Sequence, residues 1–345
     1  MKSIETVKPE GNWVAVQSAT SRHSSRSPWL LPSGPDQVKE LSMREDQKDH
    51  HSTASLRRRH CHRFIRAMQD SVQQFTTVRW LFVRIKALPA MFKLPLLLFV
   101  SFMFSATASH AESFDHSQWN QLLQSNVTYF EDNTHSRIAY KNVDRKLLKQ
   151  YLNSIASVNM DQYQSWNDDE QLAFLINVYN AYTVSFILSK YPDIESIKEL
   201  GSVFSSPWKK KNFPLFGQNV SLDHIEHTLI RGEFSEPRIH VAVVCASKGC
   251  PPLQNKAFTA QNLEAMLENA MQGFLRGSEN SYSQGVLKVS TIFDWYGDDF
   301  ASGGSKGEQG VKNYIANYNE LFSVSVEQIK NAKLSYHEYD WSLND

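Results

Sequence analysis

The sequence predicts an α+β fold: a single mature domain in which a short mixed or antiparallel sheet is packed by helices. Helical apolar spacing and short β-branched runs alternate irregularly, with none of the regular strand–helix–strand repeats of a parallel sheet. The segment carrying this pattern, residues 112–345, has 234 residues, enough for one sizeable core or two small ones.

The chain is neutral only by cancellation. Residues 1–111 hold 16 Lys+Arg and 8 Asp+Glu, whereas residues 112–345 hold 20 and 28. Residues 1–90 show no sustained period and read as a disordered or mis-called extension; a nucleic-acid-binding arm at Arg57-Arg58-Arg59-His60-Cys61-His62 is the sharper alternative. A short positive start at Met91-Phe92-Lys93, an apolar stretch over 94–104 and small residues over 105–111 form the layout of a secretory signal peptide. That stretch is too short for a bilayer span, which takes roughly 20 apolar residues. The expectation is translation from Met91, cleavage after Ala111 or Ala108, and a periplasmic or secreted product without a membrane span. A signal anchor with a basic cytoplasmic tail is the other reading.

Within 112–345, residues 115–130 look helical, with Trp119, Leu122, Leu123 and Phe130 available for a core. Asp144 caps a predicted helix through Leu147, Leu148, Tyr151, Leu152 and Ile155. The longest helix runs from about Asp168 to Lys190 and must stop near Tyr191-Pro192. Short strands surround Gly217, and Ser221 caps a helix over 222–231. Residues 239–244 read as a buried strand and Thr259 as the cap of a helix through Leu263, Met266, Leu267, Ala270 and Phe274. A strand over 286–289, a helix over 311–318 and a strand over 332–339 complete the order, with a flexible loop at 301–307.

The net charge of −8 argues against nucleic acid as a partner of this segment. No dinucleotide or P-loop motif points to a cofactor, and the histidines His224 and His227 lack the spacing and third ligand of a zinc site. Asn177 and Asn180, three apart in an apolar helix, are candidates for substrate binding or for a structural polar network. Asp223, His227 and Arg231, four apart, form a polar stripe able to orient the imidazole.

Several blocks resemble the family catalogued as domain of unknown function 547. They are Phe174-Leu-Ile-Asn-Val-Tyr-Asn-Ala181, Ser221-Leu-Asp-His-Ile-Glu-His227 with Arg231, Pro237-Arg-Ile-His-Val-Ala-Val-Val-Cys245, Thr291-Ile-Phe-Asp-Trp-Tyr-Gly-Asp-Asp-Phe300 and Tyr339-Asp-Trp-Ser-Leu-Asn344. The resemblance implies a globular domain of exported bacterial proteins with no established activity.

Cys245 and Cys250 bound a rigid loop ending in Pro251-Pro252, and two readings of them stay open. In one they form a disulfide in a non-catalytic module that binds an envelope peptide or protein. In the other Cys245 is the nucleophile of a thiol-dependent hydrolase or acyl transferase. His227 is then its base, Glu226, Asp223 or Asp294 orients the ring, and Lys248 favours the thiolate. Along a strand His240 would lie roughly 16 Å from Cys245 at 3.3 Å per residue, so it is kept as a substrate-binding candidate together with Lys248.

Overall fold

The computed structural model describes residues 113–345 except 132, 203, 204, 302 and 303. The extension and the signal peptide expected over residues 1–111 lie outside the described residues. The described part is α+β, as the sequence predicts.

The helix expected over 115–130 stops sooner. Helix α1 (Ser117–Asn126) ends where Asn126 Nδ2 turns back onto the Leu122 carbonyl at 2.8 Å. The β-branched and aromatic residues that follow form β1 (Val127–Phe130), paired antiparallel with β2 (His135–Ile138). Helix α2 (Arg145–Ser157) carries the cap expected of it: Asp144 accepts from the Lys146 and Leu147 N–H groups. After the short α3 (Met160–Ser165) comes α4 (Asp168–Leu188), capped by Asn167 and opened by Asp168, Asp169 and Glu170, which complement the helix dipole. Helix α4 is long and apolar enough to cross a bilayer, yet it is the buried axis of the domain, with side chains from Leu172 to Val184 all inside.

Hairpin β3 (Phe213–Leu215) and β4 (Gln218–Val220) turns at Phe216 and Gly217, both at positive φ. Ser221 Oγ then accepts from the His224 N–H and opens α5, which is π-helical over His224–Ile230 and closes with the turn Arg231–Glu233.

The strand expected over 239–244 is absent. Pro237 starts a 3₁₀ turn, Pro237–Val241, capped by the Glu236 side chain, and among the described residues no strand pairs with it. The run is apolar because it is buried between helices, and its backbone groups find other partners, described below. Helix α6 (Leu263–Arg276) begins four residues after Thr259, whose N–H is taken by Asn262 Oδ1.

The last sheet is mixed. Strand β5 (Ser281–Ser283) pairs antiparallel with β6 (Val286–Val289), which pairs parallel with β7 (Lys333–Tyr336). Between them lie α7 (Ile292–Trp295), α8 (Gly307–Ile315), a 3₁₀ segment Ala316–Phe322 and α9 (Val326–Asn331), the last with a Ser325/Gln328 capping box. One core forms around α4 and a second around β6, with Leu263 and Leu267 of α6 in the first and Met271 and Phe274 in the second.

Candidate functional site

Four segments meet at the site: α5, the loop 242–252, the α7 turn and the C-terminal tail. The two asparagines of α4 hold the loop and the segment after it. Asn180 donates to the Ala242 carbonyl at 2.8 Å and accepts from the Val244 N–H at 2.9 Å. Asn177 does the same to Phe258, at 2.7 and 3.1 Å. Both side chains are buried and both ends of each amide are engaged by backbone, so Asn180 supports the loop and Asn177 the segment that follows it.

The loop closes on itself. Cys245 and Cys250 form a disulfide. Ser247 Oγ and Tyr339 Oη stand 3.2 and 2.9 Å from Cys245 Sγ, and Tyr339 Oη also reaches Cys250 Sγ at 3.1 Å. Ala246 takes a left-handed φ of 62°, strained for a residue with a side chain. Gly249 is needed for a different reason, close approach: a Cβ there would lie 3.0 Å from the Asp340 nitrogen. The tail crosses at that point, with bonds from Lys248 N to Ser342 O, from Gly249 N to Asp340 O and from Asn344 N to Ala246 O. The Lys248 side chain is exposed.

The stripe on α5 is present and longer than the sequence suggests. Arg231 Nη1 donates to His227 Nδ1 at 2.6 Å, which leaves the His227 proton on Nε2, 3.8 Å from Asp223 Oδ1. Arg231 then grips Asp299 with two bonds, Nε to Oδ2 at 2.6 Å and Nη2 to Oδ1 at 3.0 Å. Asp299 Oδ2 also accepts from His240 Nε2 at 2.7 Å. Burial pushes the Asp299 carboxyl up, but the His240 and Arg231 bonds outweigh it and hold the group well below the ordinary carboxylate range. Burial lowers His240 and outweighs the raising pull of Asp299 and Glu226. The His240 ring stacks on Tyr296 at 3.8 Å, and its Nδ1 is buried without a partner. Glu226, also buried, accepts from Tyr296 Oη at 2.7 Å.

His227 thus faces Arg231 and Asp223, whereas Cys245 faces Cys250, Ser247 and Tyr339; the contacts of the two candidates do not overlap. Asp294 is exposed beside Trp295, and the carboxylate that meets His240 is Asp299. Sequence reasoning missed Asp299, Tyr296 and Tyr339 as site residues, although all three stand inside quoted blocks.

Above the disulfide lies a group of rings. Tyr339 packs on Trp295 and Trp341 with centroids 4.8 and 4.5 Å apart, Trp295 lies 5.6 Å from Trp341, and Trp208 meets Trp341 edge-on at 5.7 Å. Trp295 is 42% exposed, and the Lys198 ammonium sits 3.8 Å over the Trp341 ring.

Part of this geometry falls inside a recognisable segment. Residues 163–275 match the family described as "Protein of unknown function, DUF547". The chain resembles that family. The matched segment carries both asparagines, α5 and the disulfide loop, while Tyr296, Asp299, Tyr339 and Trp341 come from beyond it. No curated protein and no solved structure matches the chain.

Proposed function

We propose that the domain is an exported, non-catalytic binding module that holds an envelope peptide or protein against the rings of Trp208, Trp295, Tyr339 and Trp341. One observation carries this reading: the sulfur of the candidate nucleophile Cys245 is joined to Cys250, and the joined pair stiffens the loop beneath those rings. A disulfide sulfur is not a thiolate and does not attack a carbonyl. The tail that supplies Tyr339 and Trp341 is bonded to the same loop, so the bridge also fixes the recognition face. His240, Asp299 and Arg231 form a separate linked group around Tyr296, the residue that follows Trp295.

A second reading, a thiol-dependent hydrolase or acyl transferase, draws on the Ser247 and Tyr339 hydroxyls, which would hydrogen-bond a Cys245 thiolate once the bridge is reduced. In it His227 is the base, with Glu226, Asp223 or Asp294 as its orienting acid, and its ring must leave Arg231 to meet Cys245.

The test uses protein recovered from an oxidising compartment, denatured without reductant and titrated for thiols, alongside a peptide array probed with native and reduced protein. The expected result is no free thiol at either position and peptide capture without cleavage. Peptide cleavage that appears on reduction and vanishes in Cys245→Ser would establish the enzyme reading instead.

A further inference from the structure

The ring face is open at one end, where Trp295 lies. Trp295 is one of two large apolar side chains left exposed among the described residues. It is not spent on the core, since its ring contacts are to Tyr339 and Trp341 of the tail. Aromatic faces carry the negative part of their quadrupole outward. Within the cluster, the buried Glu226 carboxylate and Asp340 both act on the Tyr339 phenol. At this face the chain has already placed a cation of its own: Lys198 Nζ lies 3.8 Å over Trp341, and burial lowers its pKa, so water is partly excluded there.

We propose that this face recognises a lysine-type alkylammonium side chain of the bound peptide, seated on Trp295, with Lys198 as an intramolecular competitor for the same rings. The proposal rests on the binding-module reading and adds the chemistry of the ligand. Charge selects this occupant. An ammonium gains from the ring faces, as Lys198 does over Trp341, whereas a neutral sugar gains from stacking alone. The net charge of −8 over residues 112–345 also favours the approach of a cation. Lys198 then sets the affinity, since its own ammonium must share or leave the ring cluster when a ligand arrives.

The experiment titrates the full chain with a short lysine peptide, its Nε-acetylated form, its norleucine form and a neutral oligosaccharide, read by tryptophan emission. The expected result is a saturable change with the lysine peptide that acetylation or norleucine weakens about tenfold, the size of a partly desolvated cation–π contact. Trp295→Ala, at an exposed position that should not disturb folding, weakens it by a similar factor. Lys198→Met strengthens it several-fold. Equal binding of the lysine and norleucine peptides overturns the ammonium assignment while leaving a peptide-binding module in place. Saturable binding of the oligosaccharide alone overturns it too. Undiminished lysine-peptide binding by Trp295→Ala removes the ring face as the site, and with it both readings of that face. A Lys198→Met variant that binds more weakly refutes the competitor role.

Discussion

Asn180 takes the Val244 N–H on its Oδ1 at 2.9 Å while its Nδ2 serves the Ala242 carbonyl, the two bonds that a neighbouring β-strand would give. A side chain of α4 thereby replaces a sheet. The apolar run ahead of the disulfide is held by this side chain where it leaves its 3₁₀ turn.

Asn180→Leu should therefore cost stability well beyond its change in volume. It strands one buried donor and one buried acceptor, each worth about 1–3 kcal/mol when left unpaired, so the loss should be about 2–4 kcal/mol. Urea unfolding measures it. An unchanged midpoint would mean that the loop docks without this amide.

The same residues explain what the sequence made legible. Burial of residues 239–244 was readable from their apolar, β-branched character, but period and propensity cannot say whether a buried run is paired by a strand or by a side chain. The capping of α2 and the hairpin around Gly217 were readable because local chemistry decides them. The stripe Asp223, His227, Arg231 was readable up to its last member. Its continuation to Asp299 and His240 joins residues 68 and 59 positions apart, a distance over which spacing carries no signal. An Asp-Asp pair beside aromatic residues was the one hint. The tail was quoted as a motif, yet its contact with both sulfurs through Tyr339 belongs to the fold alone.

Asp299→Asn should destabilise the domain by about 2–3 kcal/mol at neutral pH, because Arg231 and the buried His240 lose their shared carboxylate. The folded pKa of Asp299 is depressed. Its contribution is then fully present above the unfolded value of about 3.9 and is lost as pH falls below it. Native and variant stabilities should converge on acidification through that range. Parallel stability curves down to pH 2 would show that Asp299 is not held in its charged form.

His116 gives a second pH signature in a different window. It is buried against Tyr151, with Nδ1 2.7 Å from the hydroxyl, and burial lowers its pKa to about 4. Above about pH 6.5 the ring is neutral in both states and contributes no pH dependence. Between about 6.5 and 4 only the unfolded chain takes up the proton, so stability falls with pH, by about 3 kcal/mol over the window. Replacing the ring by an amide, His116→Gln, should flatten that part of the stability–pH curve whatever it does to absolute stability. A slope between pH 6.5 and 4.5 identical to that of the native protein would place the titration elsewhere, with the lowered His240 as the first alternative.

Gly249→Ala tests how the tail is held. The residue has no positive φ to favour glycine; what excludes a side chain is the Asp340 backbone, whose nitrogen and oxygen would lie 3.0 and 3.1 Å from the new Cβ, with a Tyr339 ring carbon at 3.2 Å. Backbone on both sides of the contact leaves little freedom to relax, so the tail must shift by a few tenths of an ångström, at a cost of about 1–3 kcal/mol as for other overpacked sites. The Gly249 N–H to Asp340 bond and the neighbouring Lys248 to Ser342 bond sit at the contact and should weaken first. Hydrogen exchange at those two amides should quicken in the variant, while the amides of α4, packed in the core around Phe174 and Ile187, keep their protection. Because Tyr339 and Trp341 ride on the same tail, tryptophan emission should redden as the rings loosen. If exchange instead quickens uniformly across the domain, the tail is part of the global folding unit and not a strap laid over the disulfide loop.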